Sequence, residues 1–124
     1  MEQEYIKADI VMYDNKIHTI MDTLGVNNYE LSYIEHPVHQ LELSGVPLTP
    51  EIIEKNGWKK KMYCDWCHYL PIEGNILYLS KGIGIDGAFS VDVGQDMSYI
   101  ASISFVHQLQ HLLFGLGLNS EMEV

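Results

Sequence analysis

Ser104-Phe105-Val106-His107-Gln108-Leu109-Gln110-His111-Leu112-Leu113-Phe114-Gly115-Leu116-Gly117 is the stretch on which the fold turns. Phe105, Val106, Leu109, Leu112, Leu113 and Leu116 recur at three- and four-residue spacing and form one apolar stripe of a helix. Ser104 is placed to cap the first turn, and Gly115 and Gly117 to end the last. With Leu109 at the centre of the stripe, His107, His111 and Phe114 fall on the opposite side at about 100° per residue. Gln108 and Gln110 flank them. An aromatic ring beside hydrogen-bonding side chains on an outer face is a composition that interfaces favour, so His107, Gln108, Gln110, His111 and Phe114 form a candidate partner-binding surface. A strand or loop of the same domain laid over that face would make it interior instead. Beyond the helix, Asn119–Val124 reads as an acidic tail that frays.

Working back towards the N-terminus, the periodicity shortens to that of strands. Lys61–Leu70, Asn75–Ser80, Gly87–Val93 and Tyr99–Ser104 are the candidates. Pro71 with Gly74, Lys81-Gly82 and Gly94-Gln95-Asp96 separate them as turns, a spacing that predicts an antiparallel meander. Thr49-Pro50-Glu51 before Ile52-Ile53, with Gly57 after, spells a short central helix: N-cap, proline in the first turn, acid at the positive end, glycine at the close. Leu48, Ile52 and Ile53 would pin it to the sheet. Ile10–Tyr13 and Lys16–Ile20 flank Asp14-Asn15, two residues that tolerate the positive φ of a tight hairpin turn. Tyr29–Ile34 alternates as a further strand that Pro37 ends. Strands first and a helix packed on them at the end predict an α+β fold in a single domain, residues 1–124.

Three segments carry a resemblance. Val11–Ile20, Gly45–Trp58 (G-V-P-L-T-P-E-I-I-E-K-N-G-W) and Val106–Leu112 (V-H-Q-L-Q-H-L) resemble a family of small proteins of phages and mobile elements of gut bacteria, a family with no established activity. They touch both ends and the middle of the chain. The resemblance implies a bacterial or phage cytoplasm and a small accessory role. Cys64 and Cys67 are not part of that pattern.

Composition narrows the function classes. With 17 acidic and 7 basic residues the formal charge is −10, which repels phosphate backbones and makes nucleic acid a poor partner. It also suits a protein that occupies a basic groove on another, although the same charge serves solubility. No apolar run approaches a membrane span, and the polar Met1–Glu4 start does not read as a signal peptide, so a cytoplasmic protein is expected.

Two motifs invite chemistry. Gly82-Ile83-Gly84-Ile85-Asp86-Gly87 spells G-x-G-x-x-G, but a strand rather than a helix is predicted after it, so the dinucleotide context is missing. Lys81, Gly82, Gly84 and Gly87 remain an anion- or nucleotide-binding loop in the alternative where a symmetric oligomer sequesters a small ligand. Cys64-x-x-Cys67-His68 matches the haem-attachment spelling without the export signal such attachment needs. As half a zinc site, Cys64 and Cys67 would be completed by His107 and His111, which share a helix face four residues apart. A second Cys-x-x-Cys is absent. No carboxylate pair, nucleophile elbow or calcium loop marks a reaction, so a non-enzymatic protein without an obligatory cofactor is expected.

Overall fold

Asp14 and Asn15 take φ of 50° and 62°, the paired positive values of a two-residue hairpin turn, and they join β1 (Ile10–Tyr13) to β2 (Lys16–Leu24). The computed structural model describes residues 5–62, 67–81, 88–96 and 98–124. Within them the architecture is α+β, with two antiparallel sheets and two α-helices.

The first sheet is completed by β3 (Asn28–Leu31), β4 (Val38–His39) and β5 (Ser44–Gly45), in the order β4-β3-β2-β1-β5. β3 is shorter than the alternation predicts. Ile34 N–H folds back to Leu31 O and Tyr33 adopts φ of 64°, so the chain turns before Pro37 is reached. The central helix α1 (Pro50–Lys55) follows, then β6 (Lys59–Lys60), β7 (Cys67–Ile72), β8 (Asn75–Lys81), β9 (Phe89–Val93) and β10 (Ser98–Ile103). These five strands pair in sequence order, the predicted meander. Of the strand expected over Lys61–Leu70, the described part is β7, which starts at Cys67 and runs on to Ile72; the unanticipated β6 precedes it. Pro71, read as a turn residue, pairs with Ile76 inside β7. It is tolerated because β6 reaches β7 only at His68 and Tyr69, which leaves Pro71 no second ladder for its missing N–H to break. The C-terminal helix α2 spans Val106–Gly115.

The chain divides into two compact units. One comprises Met1–Pro47 and Phe105–Met122, the other Leu48–Ser104 and Glu123–Val124. The first has its core in Tyr5, Val11, Ile20, Tyr29, Leu31, Val38 and Leu43, with α2 packed against β1. Gly45 of β5 has no room for a side chain: a Cβ there would lie 2.6 Å from the Phe105 ring. The second unit buries Ile53 and Trp58 together with Leu77, Leu79, Phe89 and Val91.

The two helix starts differ. Thr49 caps α1 as its sequence predicts, its Oγ1 accepting from Ile52 N–H at 3.3 Å. For α2 the capping position is Phe105 and not Ser104. Phe105 has no side-chain acceptor, so the cap is built from the other side: Phe105 N–H donates to Gln108 Oε1 at 3.1 Å. The C-terminal residues, expected to fray, are tied down. Within the second unit Asn56 Nδ2 donates to Glu123 O (2.7 Å), and Glu123 N–H returns to Asn56 Oδ1 (2.8 Å).

Candidate functional site

The face of α2 that the helical wheel turns outward is interior over its first two turns. His107 and Gln110 are buried, at 3% and 4% exposure. The covering element is the segment Tyr5–Asp9, which precedes β1 and crosses that face. Gln110 fastens it with both ends of its amide: Oε1 accepts from Ile10 N–H at 2.9 Å and Nε2 donates to Ala8 O at 3.0 Å. A third bond runs from Nε2 to Ser120 O at 3.3 Å. The Tyr5 ring packs edge-on against His107 with centroids 4.9 Å apart, and the Phe105 ring stacks on the other side at 5.8 Å. Leu116, assigned to the core stripe, is 45% exposed instead. The buried arc is therefore rotated towards His107 and Gln110, because a helix covered on two sides buries more than one stripe.

Further along the same face, His111 and Phe114 do reach the surface, and Gln108 is half-buried. His111 Nε2 lies 2.7 Å from Asp9 Oδ2, and the same oxygen accepts Ile6 N–H at 2.9 Å. An oxygen that accepts one N–H is placed to accept a second, so the geometry assigns the donated proton to His111 Nε2. Asp9 itself is 2% exposed. Burial pushes its carboxyl above the ordinary value, while the bonds from Ile6 and His111 pull it back. His107, 5.7 Å from the His111 ring, is held down to about 4 by burial and then by the His111 charge.

Together these residues belong to a cleft of about 380 Å³ lined by Ile6, Lys7, Ala8, Asp9, Gln110, His111, Phe114 and Ser120. The volume is that of a site for one small ligand or one inserted side chain. Ala8 sits in this wall at φ of 78°, a left-handed conformation that costs a residue with a Cβ about 1–2 kcal/mol. Such strain gathers at functional sites when neighbours hold it in place, as Gln110 does here. Phe114 is 68% exposed and Ile6 40%. A shallower depression around Met21 and Glu30–Glu35 has no paired ionisable groups among the described residues.

Of the residues singled out in the sequence, Gln110, His111 and Phe114 meet in this cleft, and His107 and Gln108 do not line it. Asp9, Ile6 and Ala8 carry no motif and were not singled out. No periodicity or motif in the sequence points to them.

The zinc and glycine-loop candidates lie largely elsewhere. Cys64 and the Gly82, Gly84 and Gly87 loop fall outside the described residues. Cys67 is a buried free thiol of the second unit that accepts from Ser80 Oγ at 3.4 Å. His107 and His111 belong to the first unit, and His111 Nε2 is occupied by Asp9. Among the described residues no three His, Cys, Asp or Glu side chains converge as a metal site would require. Lys81 closes β8 with an exposed side chain. In the second unit, buried His68 has Nε2 3.5 Å from Glu54 Oε1, beyond a well-formed ion-paired hydrogen bond. No helix among the described residues is long and apolar enough to cross a membrane. No protein family, curated protein or solved structure matches the chain.

Proposed function

We propose that the chain is a non-enzymatic accessory protein of the phage or mobile-element kind, acting in the cytoplasm of a bacterial host by binding a protein partner. Inhibition of a host or defence protein is the form of action this reading favours. The observation that carries it is the cleft between Tyr5–Asp9 and α2, edged by the exposed rings and chains of Phe114 and Ile6 and floored by the Asp9–His111 pair. Large apolar side chains beside a pocket containing satisfied polar groups are what an interface anchor site presents. The non-enzymatic reading rests on the sequence, which carries no nucleophile-elbow context and no carboxylate pair on a recognisable scaffold.

The test is position-specific. A photo-crosslinking residue at Phe114 should capture one cellular protein in stoichiometric yield, while the same residue at Met62, 76% exposed in the second unit, should not. Phe114→Glu should abolish that capture with the circular dichroism spectrum unchanged. Equal capture from both positions, or capture that survives Phe114→Glu, would dismiss the cleft as the binding surface.

A further inference from the structure

Among the described residues each sheet has two outer strands, and three of the four are blunted. β4 and β5 are two residues long; Pro37 precedes the first and Pro47 follows the second. β6 is two exposed lysines, Lys59 and Lys60. Short length, proline and lysine are the ordinary means of keeping a sheet edge from pairing with another chain. β10 has none of them. Its six residues, Ser98-Tyr99-Ile100-Ala101-Ser102-Ile103, contain no charge and no proline, and among the described residues no strand pairs with its outer side. Tyr99 is 63% exposed and Ile100 41%. Such a strand runs about 20 Å, and every second residue on it turns a backbone N–H and C=O outward. The one interruption is a bulge at Ile100, where the register with β9 shifts between Tyr99 and Ala101. It twists the strand without ending the ladder, which resumes at Ala101, Ser102 and Ile103.

We propose that β10 pairs with β10 of a second copy of this chain, antiparallel about a two-fold axis perpendicular to the sheet, so that two five-stranded sheets join edge to edge. This surface is independent of the cleft beside α2. Charge and shape identify the occupant. A formal charge of −10 opposes contact between copies, so a self-interface must sit where charge is sparse. β10 is uncharged, and five of the seven basic residues, Lys55, Lys59, Lys60, Lys61 and Lys81, lie in its unit. The nearest acid in sequence is Asp96, whose Oδ2 accepts from the Ser98 hydroxyl at 2.9 Å. Antiparallel pairing sends the two Asp96 carboxylates to opposite ends of the seam, more than about 20 Å apart and beyond the ~8 Å over which exposed charges act at physiological salt. Asp92, opposite Tyr99 on β9, stands one strand inside the seam. A partner recognised by charge would find nothing on β10 to read. The bulge favours a copy too. Its added twist lies near the middle of the strand, and a two-fold axis there carries it onto the same twist in the second copy. The pairing also uses up the one edge left open among the described residues, so it closes as a dimer.

The experiment is sedimentation velocity of the full chain from about 1 μM to about 1 mM, with hydrogen exchange of the β10 amides at both ends of that range. A monomer–dimer equilibrium is expected, with the Ser98–Ile103 amides exchanging about threefold or more slowly at the high concentration. Added sodium chloride should tighten the dimer, because screening weakens the repulsion between two acidic copies and leaves an uncharged seam untouched. Ile100→Lys and Ser102→Lys, both at exposed positions, should each raise the dissociation constant about tenfold or more with the circular dichroism spectrum unchanged. Phe114→Glu should leave the dimer intact. A monomer throughout the range overturns the proposal, and so does a dimer that both lysine variants leave as tight. A dimer lost in Phe114→Glu also overturns it, since the contact then lies at α2. Assembly that grows past the dimer overturns the two-fold pairing. Should the lysine variants misfold, exchange on the unaltered chain decides: slowing confined to β10 upholds the seam, and equal rates at both concentrations sink it.

Discussion

Helix α1 is fixed by its own neighbours in sequence, whereas one face of helix α2 is covered by residues a hundred positions away. For α1, Thr49, Pro50, Asn56 and Gly57 supply both caps, and Asn56 Nδ2 bonds Ile52 O at 2.8 Å. For α2, the decisive side chain is Gln110, which holds the backbone of Ala8 and Ile10. The first kind of helix announces itself in the sequence, because capping acts within one turn. The second announces only its period. Which of its faces are interior depends on what the rest of the chain lays against it.

The largest expected effect removes that long-range clasp. Gln110→Ala leaves the buried Ile10 N–H without its partner and releases the backbone of exposed Ala8, and should cost about 2 kcal/mol of unfolding free energy, read from urea denaturation. A cost under about 1 kcal/mol would mean that α2 is held by its apolar contacts alone, and the contrast between the helices would collapse.

Acidification tests the same face through His107. Its folded-state value of about 4 lies below the ordinary 6.5, so the folded protein binds the proton less readily than the unfolded chain. The associated stability is fully present above pH 6.5 and is lost as pH falls through 4. Asp9, raised by burial, acts in the opposite sense in acid and offsets part of the loss. A net fall of about 2 kcal/mol between pH 7 and 4 is expected, followed by thermal unfolding across that range. His107→Phe should flatten the slope. An unchanged slope in that variant would place the acid sensitivity in other groups.

Smaller effects sharpen the local side of the contrast. Thr49→Ala should cost about 1 kcal/mol, and hydrogen exchange should show the loss concentrated in α1 amides. If instead the loss spread through α2, the two helices would not be independent in the way their caps suggest. Ala8→Gly should stabilise by about 0.5 kcal/mol, the relief of a left-handed alanine less the added freedom of glycine when unfolded. A destabilising result would show that the Ala8 methyl packs in the cleft wall more usefully than its φ of 78° costs.

These contrasts also explain what was legible beforehand. The Asp14-Asn15 turn, the Thr49–Gly57 helix and the sequential pairing of β7 to β10 follow from local chemistry and are readable as such. The strand at Tyr29 was overextended because nothing in the sequence shows Tyr33 turning left-handed. Pro71 misled because its tolerance depends on how far a neighbouring strand reaches. At the candidate site, His111 and Phe114 were legible as residues of a helix face. Asp9 was not, since a lone aspartate before a strand gives no hint of a histidine 102 positions on.

The division of the chain has a consequence for how the protein is made. The first unit begins before Pro47 and resumes only at Phe105, so the whole of Leu48–Ser104 must leave the ribosome before α2 exists. At ~5–20 residues per second the β1–β5 sheet waits about 3–11 s with the surface meant for Val106, Leu109 and Leu113 uncovered. During that interval the nascent chain presents an apolar sheet face to everything in its vicinity. Slowing elongation within Leu48–Ser104 would lengthen the exposure without altering a single residue of the finished protein.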